Sequence, residues 1–221
     1  MAELIGRFTR KEEIANWLSH FAGAILASAG LTLMIVASAL KGNAWHVVST
    51  AIFGSTMVLL YISSAVAHGL PAGRLKQIFF VIDQAAIFLL IAGTYTPLAL
   101  VALHGPLGWT LFGLQWAMAI TGIIIQLSRK NKVEHGATVM DIIIYVAMGW
   151  MLLVAVVPIV KALPLMGFLW ILIGGTCYCF GIIFYRKARF RYAHLVWHLM
   201  VLAGSISHFF AIFFYVIPLS V

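Results

Sequence analysis

Two histidines, His194 and His198, stand four residues apart in the run HLVWH. On a helix both imidazoles then project from one face, a single turn apart. Such a pair grips one borderline-soft cation such as zinc, whose nitrogen ligands sit about 2.0–2.1 Å away. A third imidazole from His68 would make three protein ligands and leave the fourth tetrahedral position open, as hydrolytic sites do and closed structural sites do not. Asp83 would then serve as general base toward water at that position, or orient a histidine. Ser64, one turn before His68, would hold a water or a ligand in place. The competing reading is that histidines in apolar helices act as hydrogen-bonding glue between helices. An isolated HxxxH pair reads as glue; His68 and Asp83 at matched depth shift the balance toward a metal.

The elements that must position these residues are long and apolar. Of 221 residues, 63% are hydrophobic and 9% are charged, against roughly a quarter charged in soluble domains. That excludes an ordinary soluble enzyme, a disordered chain and a disulfide-stapled secreted scaffold. Apolar runs cover residues 18–40, 45–67, 78–103, 107–127, 138–160, 165–185 and 194–217, each near the about 20 residues that a spanning helix needs. This predicts an all-α membrane protein, a seven-transmembrane helix bundle forming a single domain over residues 1–221. The breaks between runs carry turn chemistry, as in Lys41-Gly42-Asn43 and His104-Gly105-Pro106. The first run is too long for a signal peptide and lacks a small-residue cleavage site, so it reads as an uncleaved span. Cys177 and Cys179 point to different sides of one helix and cannot easily bridge.

Basic residues orient such a bundle. One side carries Arg7, Arg10 and Lys11, then Arg74 and Lys76, then Arg129, Lys130 and Lys132, then Arg186, Lys187, Arg189 and Arg191; the other carries Lys41 and Lys161. The bias places the N-terminus in the cytoplasm and the C-terminus outside. It also assigns the net charge of +8 to the membrane rather than to nucleic acid.

With that orientation, the polar residues of four spans share one depth near the cytoplasmic face, where lipid offers no solvation. They are Glu13, Asn16 and His20 in span one, Ser64 and His68 in span two, Asp83 in span three, and His194 with His198 in span seven. Glu13, Asn16 and His20 read as a polar cap tying span one to the cluster, or His20 snorkels at the interface. Glu12 and Glu13 also suit a helix N-terminus, and Asp141 reads as a helix-start carboxylate before it reads as a group at the periphery of the site. His208 is ten residues beyond His198, about 15 Å deeper, and is expected to hydrogen-bond structurally with Ser205 or Ser207. His46, His104 and His135 need no special role at span ends. Trp45, Trp109, Trp150, Trp170, Tyr185, Tyr192 and Tyr215 read as an interfacial belt. Gly23, Gly30, Gly93, Gly174 and Gly175 suit close helix contacts, and Pro97 should kink span three.

The string Glu12-Glu13-Ile14-Ala15-Asn16 with His20, the Ser64-to-His68 spacing, Asp83 leading into AIFLLIAGTYTP, and HLVWH followed by VLAGSISHF together resemble the bacterial hemolysin III proteins. Those belong to the progestin and adipoQ receptor family, within a wider group of membrane hydrolases that includes alkaline ceramidases. The resemblance runs over essentially the whole chain. It implies a seven-span bundle in the bacterial inner membrane, with zinc near the cytoplasmic face held by His68, His194 and His198, and with Asp83 and Ser64 beside it. It also implies a part in membrane lipid homeostasis. Two positions depart from the family pattern: Ala67 stands where many relatives have Tyr, and Gln84 where His is usual. Neither removes a proposed ligand; both bear on substrate preference.

These readings converge on an intramembrane, zinc-dependent hydrolase of a lipid amide such as a ceramide-like molecule, which would enter sideways between spans. No nucleic acid and no required protein partner is expected. The alternative is a non-enzymatic sensor or regulator of membrane composition, its zinc a structural clamp closed by Asp83 as fourth ligand. A pore-forming cytolysin, suggested by the hemolysin name, conflicts with seven uniformly apolar spans that provide no soluble state. A transporter or channel conflicts with the sparse charge at mid-membrane.

Overall fold

Helix α1 (Arg10–Lys41) begins eight residues before its apolar run, because Thr9 and Glu12 form a reciprocal capping box at its start. This computed structural model describes residues 8–129, 136–186 and 190–220; Arg7, Lys130, Lys132, His135, Lys187 and Arg189 lie outside them. Helix α2 (Ala44–Gly69) starts with a second box, between Asn43 and His46. The other ring nitrogen of His46 lies 3.0 Å from the Leu219 carbonyl, so this histidine pins the C-terminal end of the chain to α2 and is more than a span-end residue.

Helix α3 (Arg74–Pro97) does not break at its proline. The chain runs on from Leu98 to Ala102 in a wider winding, with Leu103 N–H donating to the Leu98 carbonyl five residues back at 2.9 Å. Helix α4 spans Pro106–Ser128. The fifth apolar run, expected as one helix, is α5 (Val139–Trp150), a 3-10 stretch over Met151–Ala155, and α6 (Val156–Ala162). Pro158 has no N–H to continue an α-helical ladder through this stretch. Tyr95 of α3 compensates: its hydroxyl donates to the Gly149 carbonyl at 2.6 Å and accepts from Leu152 N–H at 2.8 Å. Helix α7 (Leu165–Arg186) and α8 (Ala193–Ala211) follow, α8 extending to Val216 in another wide turn.

Seven crossings result, with α5 and α6 forming one of them, and no strand occurs among the described residues. Helices α3 and α2 are innermost, their most apolar stretches 72% and 61% buried, against 22–28% for α1, α4, α5–α6 and α7. The outer helices present Leu, Ile and Val outward, as lipid-facing surfaces do. Helix α1 lies along α2, α2 along α3, and α8 against both α7 and α1. That arrangement gathers the starts of α1, α3 and α8 with the end of α2. At Gly23 a Cβ would come 2.6 Å from the Tyr61 ring, so α1 approaches α2 only because no side chain intervenes. Gly175, by contrast, faces open space and makes no close helix contact.

Candidate metal centre

His68 ends α2 and His194 and His198 open α8, and one ligand nitrogen from each lies within 4.8 Å of the others. The ring centroids are 5.2 Å apart for His68–His194, 5.0 Å for His68–His198 and 4.6 Å for His194–His198. His68 and His198 are 3% and 1% exposed, so water does not satisfy them from outside.

Their outer nitrogens are held by the protein. His198 Nδ1 lies 3.2 Å from the Asn16 carbonyl and 3.1 Å from Ser19 Oγ, and that hydroxyl itself donates to Asn16. A carbonyl only accepts, so Nδ1 carries the proton and Nε2 keeps its lone pair. His68 Nδ1 is 2.6 Å from Glu13 Oε2, while its Nε2 is buried with no hydrogen-bond partner among the described residues. Histidine ligands in metal sites are oriented through their second nitrogen in this way. The unpartnered His68 Nε2 and the three converging imidazoles fit a divalent cation.

Beside the histidines is a cavity of about 40 Å³, lined by His20, Ser64, Asp83, His194 and His198 among others. Asp83 and Ser64 face it from adjacent helices, and the group of converging ligand atoms consists of the three imidazoles, with Asp83 outside it. His20 does not snorkel: it is 3% exposed and stacks on His198. Asn16 is 1% exposed; its backbone carbonyl serves His198, while its carboxamide has no hydrogen-bond partner among the described residues. Glu13 is more than a helix-start charge, because its carboxylate spans to α2 and α3. Its neighbour Glu12 closes the capping box and accepts the Tyr192 N–H at 3.0 Å, tying α1 to the residue just before α8.

His208 lies apart from the cluster. Its Nε2 is 3.2 Å from the Ile171 carbonyl, and neither Ser205 nor Ser207 is its partner. Ser205 instead joins the hydroxyls of Tyr61 and Tyr178, at 2.8 and 3.0 Å, and Ser207 donates to Ala203. Asp141 is the expected helix-start carboxylate, capped with Thr138 and paired with Arg129 at 2.6 Å.

Three participants, Lys76, Phe8 and Tyr185, escaped the sequence reading, and Gln84, noted there only as a departure from the family pattern, joins them. Lys76, counted there among loop charges, is 3% exposed and lies 3.0 Å from Glu13 Oε1. A signal was present, since Lys76 precedes Asp83 by seven residues, two helical turns on one face. Phe8 closes the cavity from the N-terminal segment, its ring 4.8 Å from His194 and 5.8 Å from His68. Tyr185, assigned to the interfacial belt, lines the cavity and accepts the Ala137 N–H at 2.7 Å. Gln84 also lines it, with its own carbonyl held by the Tyr145 hydroxyl at 2.8 Å.

A second cavity, about 150 Å³ and almost wholly apolar, runs between α3, α5, α7 and α8. Leu60, Ile87, Trp197 and Val201 line both cavities, so the polar chamber and the apolar one share a wall.

The chain is similar to Hemolysin-3 of Bacillus cereus, 40% identical over 220 residues covering 99% of both chains. It is 39% identical to the Hemolysin-3 homolog of Bacillus subtilis (strain 168) over 208 residues, 94% of this chain and 96% of that one. It is 26% identical to the human monocyte to macrophage differentiation factor over 218 residues, 95% of this chain and 87% of that one. No solved structure matches it. The family model described as haemolysin-III related matches residues 8–209, the stretch that runs from Phe8 past every histidine of the cluster. With its seven crossings and its relatives along nearly the full length, this chain is a multi-pass membrane protein and belongs to the haemolysin-III related family.

Proposed function

We propose that the protein is a zinc-dependent hydrolase that cleaves a lipid amide of the ceramide type from within the bilayer, in the service of membrane lipid homeostasis. The observation that carries this reading is the adjacency of two chambers: a polar one with three converging imidazoles and a carboxylate, and an apolar one that shares its wall. A lipid amide has that duality, a polar scissile group attached to apolar chains. The charge bias supports a polar chamber at the cytoplasmic face, and the relatives from Bacillus support residence in a bacterial cell membrane.

His68, His194 and His198 would hold the metal. A cation there supplies Lewis acidity toward a carbonyl and makes water more acidic near neutral pH. Asp83 takes a proton from the attacking water, and Ser64 Oγ orients the reactants from the facing helix. Phe8 covers the histidines and limits free exchange with bulk water. Trp197 and Val201 position the acyl chain where the two chambers meet. Hydrolysis breaks the amide C–N bond; the water oxygen goes to the acyl carbon and its protons to the amine and the base.

The test is fatty-acid release from a long-chain ceramide by detergent-purified protein of measured metal content, beside Asp83→Asn. Release that the substitution abolishes while metal stays bound supports the reading. Protein that carries metal yet releases nothing overturns the hydrolase and leaves the metal as a clamp in a membrane-composition sensor.

A further inference from the structure

We propose that Lys76 is a positioning residue for the metal centre: it fixes the Glu13 carboxylate so that His68 is held with its proton on Nδ1 and its Nε2 free to ligate. The inference rests on the metal-binding reading above and adds to it the residue that holds in place the carboxylate setting the tautomer of one ligand.

Lys76 Nζ donates to the Ala67 carbonyl at 2.8 Å, to the Leu70 carbonyl at 3.1 Å and to Glu13 Oε1 at 3.0 Å, with a longer contact to the His68 carbonyl at 3.5 Å. These carbonyls belong to the last turn of α2 and its cap, the turn that carries His68. Glu13 then has its oxygens divided, Oε1 on Lys76 and Oε2 on His68 Nδ1 at 2.6 Å. An ionised carboxylate only accepts, so Nδ1 must donate. One buried lysine from α3 therefore holds both the backbone beneath His68 and the carboxylate that faces its ring.

A helix cap alone does not explain this arrangement. Capping would need the carbonyls but no acid, whereas a lysine buried in this way is strongly disfavoured unless it is paired. The pairing directs one specific oxygen of Glu13 away from His68 and leaves the other aimed at it. The consequence is a sign reversal between single and double substitutions. In Glu13→Gln, the amide oxygen turns to Lys76 and the NH₂ group faces His68 Nδ1. An NH₂ group only donates, so the ring proton moves to Nε2 and blocks the ligating lone pair. In Glu13→Gln combined with Lys76→Met, the carboxamide is released to present its oxygen to Nδ1 again.

The experiment measures Zn²⁺ affinity by competition with a chromophoric chelator, on detergent-solubilised full-length protein, for wild type, both single variants and the double variant. Glu13→Gln is expected to weaken binding by about 10–100-fold, as changes to groups that orient ligands do. The double variant is expected to bind better than Glu13→Gln. A double variant as weak as or weaker than Glu13→Gln overturns the proposal, since lost stability alone accumulates. A second readout needs no metal: ¹⁵N-histidine NMR of the metal-free protein should show His68 protonated on Nδ1 in wild type and on Nε2 in Glu13→Gln. An unchanged tautomer overturns the proposal. Wild type that binds no zinc overturns the metal reading itself, and the NMR comparison still decides where the His68 proton sits.

Discussion

The imidazoles of His20 and His198 lie face to face, their centroids 3.6 Å apart and their planes inclined by 15°. His20 comes from α1 and His198 from α8, so the first and last crossings of the chain meet ring to ring at the cluster. The contact backs a proposed ligand with a flat surface. It is reinforced from α1 by Ser19, the residue before His20, and by the Asn16 carbonyl one turn earlier, both on His198 Nδ1.

This stack separates shape from chemistry at position 20. His20→Phe keeps a ring against His198, so metal content should match wild type. His20→Ala removes the ring from a buried place and should lower stability by about 2–4 kcal/mol, in the range of buried large-to-small changes. Thermal melts with metal analysis on both variants check this. Equal metal loss in the two would show that the imidazole nitrogens of His20, and not its shape, matter.

Metal content should follow the three converging histidines and no others. Wild type purified without chelators is expected to carry about one zinc per chain, the number one tetrahedral site takes. His68→Ala, His194→Ala and His198→Ala should each lose most of it. His208→Ala should retain it, because His208 bonds the Ile171 carbonyl away from the cluster. Elemental analysis of the four variants decides the assignment; zinc lost on changing His208 but kept without His194 would contradict it.

Asp83 and Ser64 divide differently. Both line the polar chamber, yet neither belongs to the converging ligand group. Asp83→Asn should keep the metal and reduce turnover by about 10²–10⁴-fold, the usual contribution of a positioned base. Ser64→Ala should keep the metal and cost less. If Asp83→Asn strips the metal instead, the carboxylate is a fourth ligand and the site is a closed clamp.

Two adjacent glycines of α7 should behave oppositely. A Cβ on Gly174 would lie 2.6 Å from His208 Nε2, whereas one on Gly175 meets nothing within 4 Å and would enter the apolar cavity. Gly174→Ala should therefore destabilise by about 1–3 kcal/mol, as overpacking does. Gly175→Leu should fold normally and weaken binding of a long-chain lipid by filling its space. Melting curves and lipid-binding isotherms on the pair separate the two effects; unchanged lipid binding in Gly175→Leu would place the acyl chain elsewhere.

The sequence by itself determined the seven crossings, because hydropathy over about 20 consecutive residues is a local property. The spacing of His194 and His198 likewise fixed their shared face, since helix geometry needs no neighbour. Charge and polarity placed His20, His68 and Asp83 at one depth before any helix was packed against another. Lateral arrangement was beyond that reach. Nothing in the run from Arg74 to Asp83 states that Lys76 turns inward to α1 and α2 rather than outward to water; only its partner Glu13, 63 residues upstream, decides it. The same holds for Phe8 over His194 and for Tyr185 on Ala137. Depth is written along each helix, while the neighbour of each face follows from side-chain shape across helices distant in the chain. The three-histidine cluster was legible from local spacing and shared depth; the polar frame that orients it was decided by the tertiary structure.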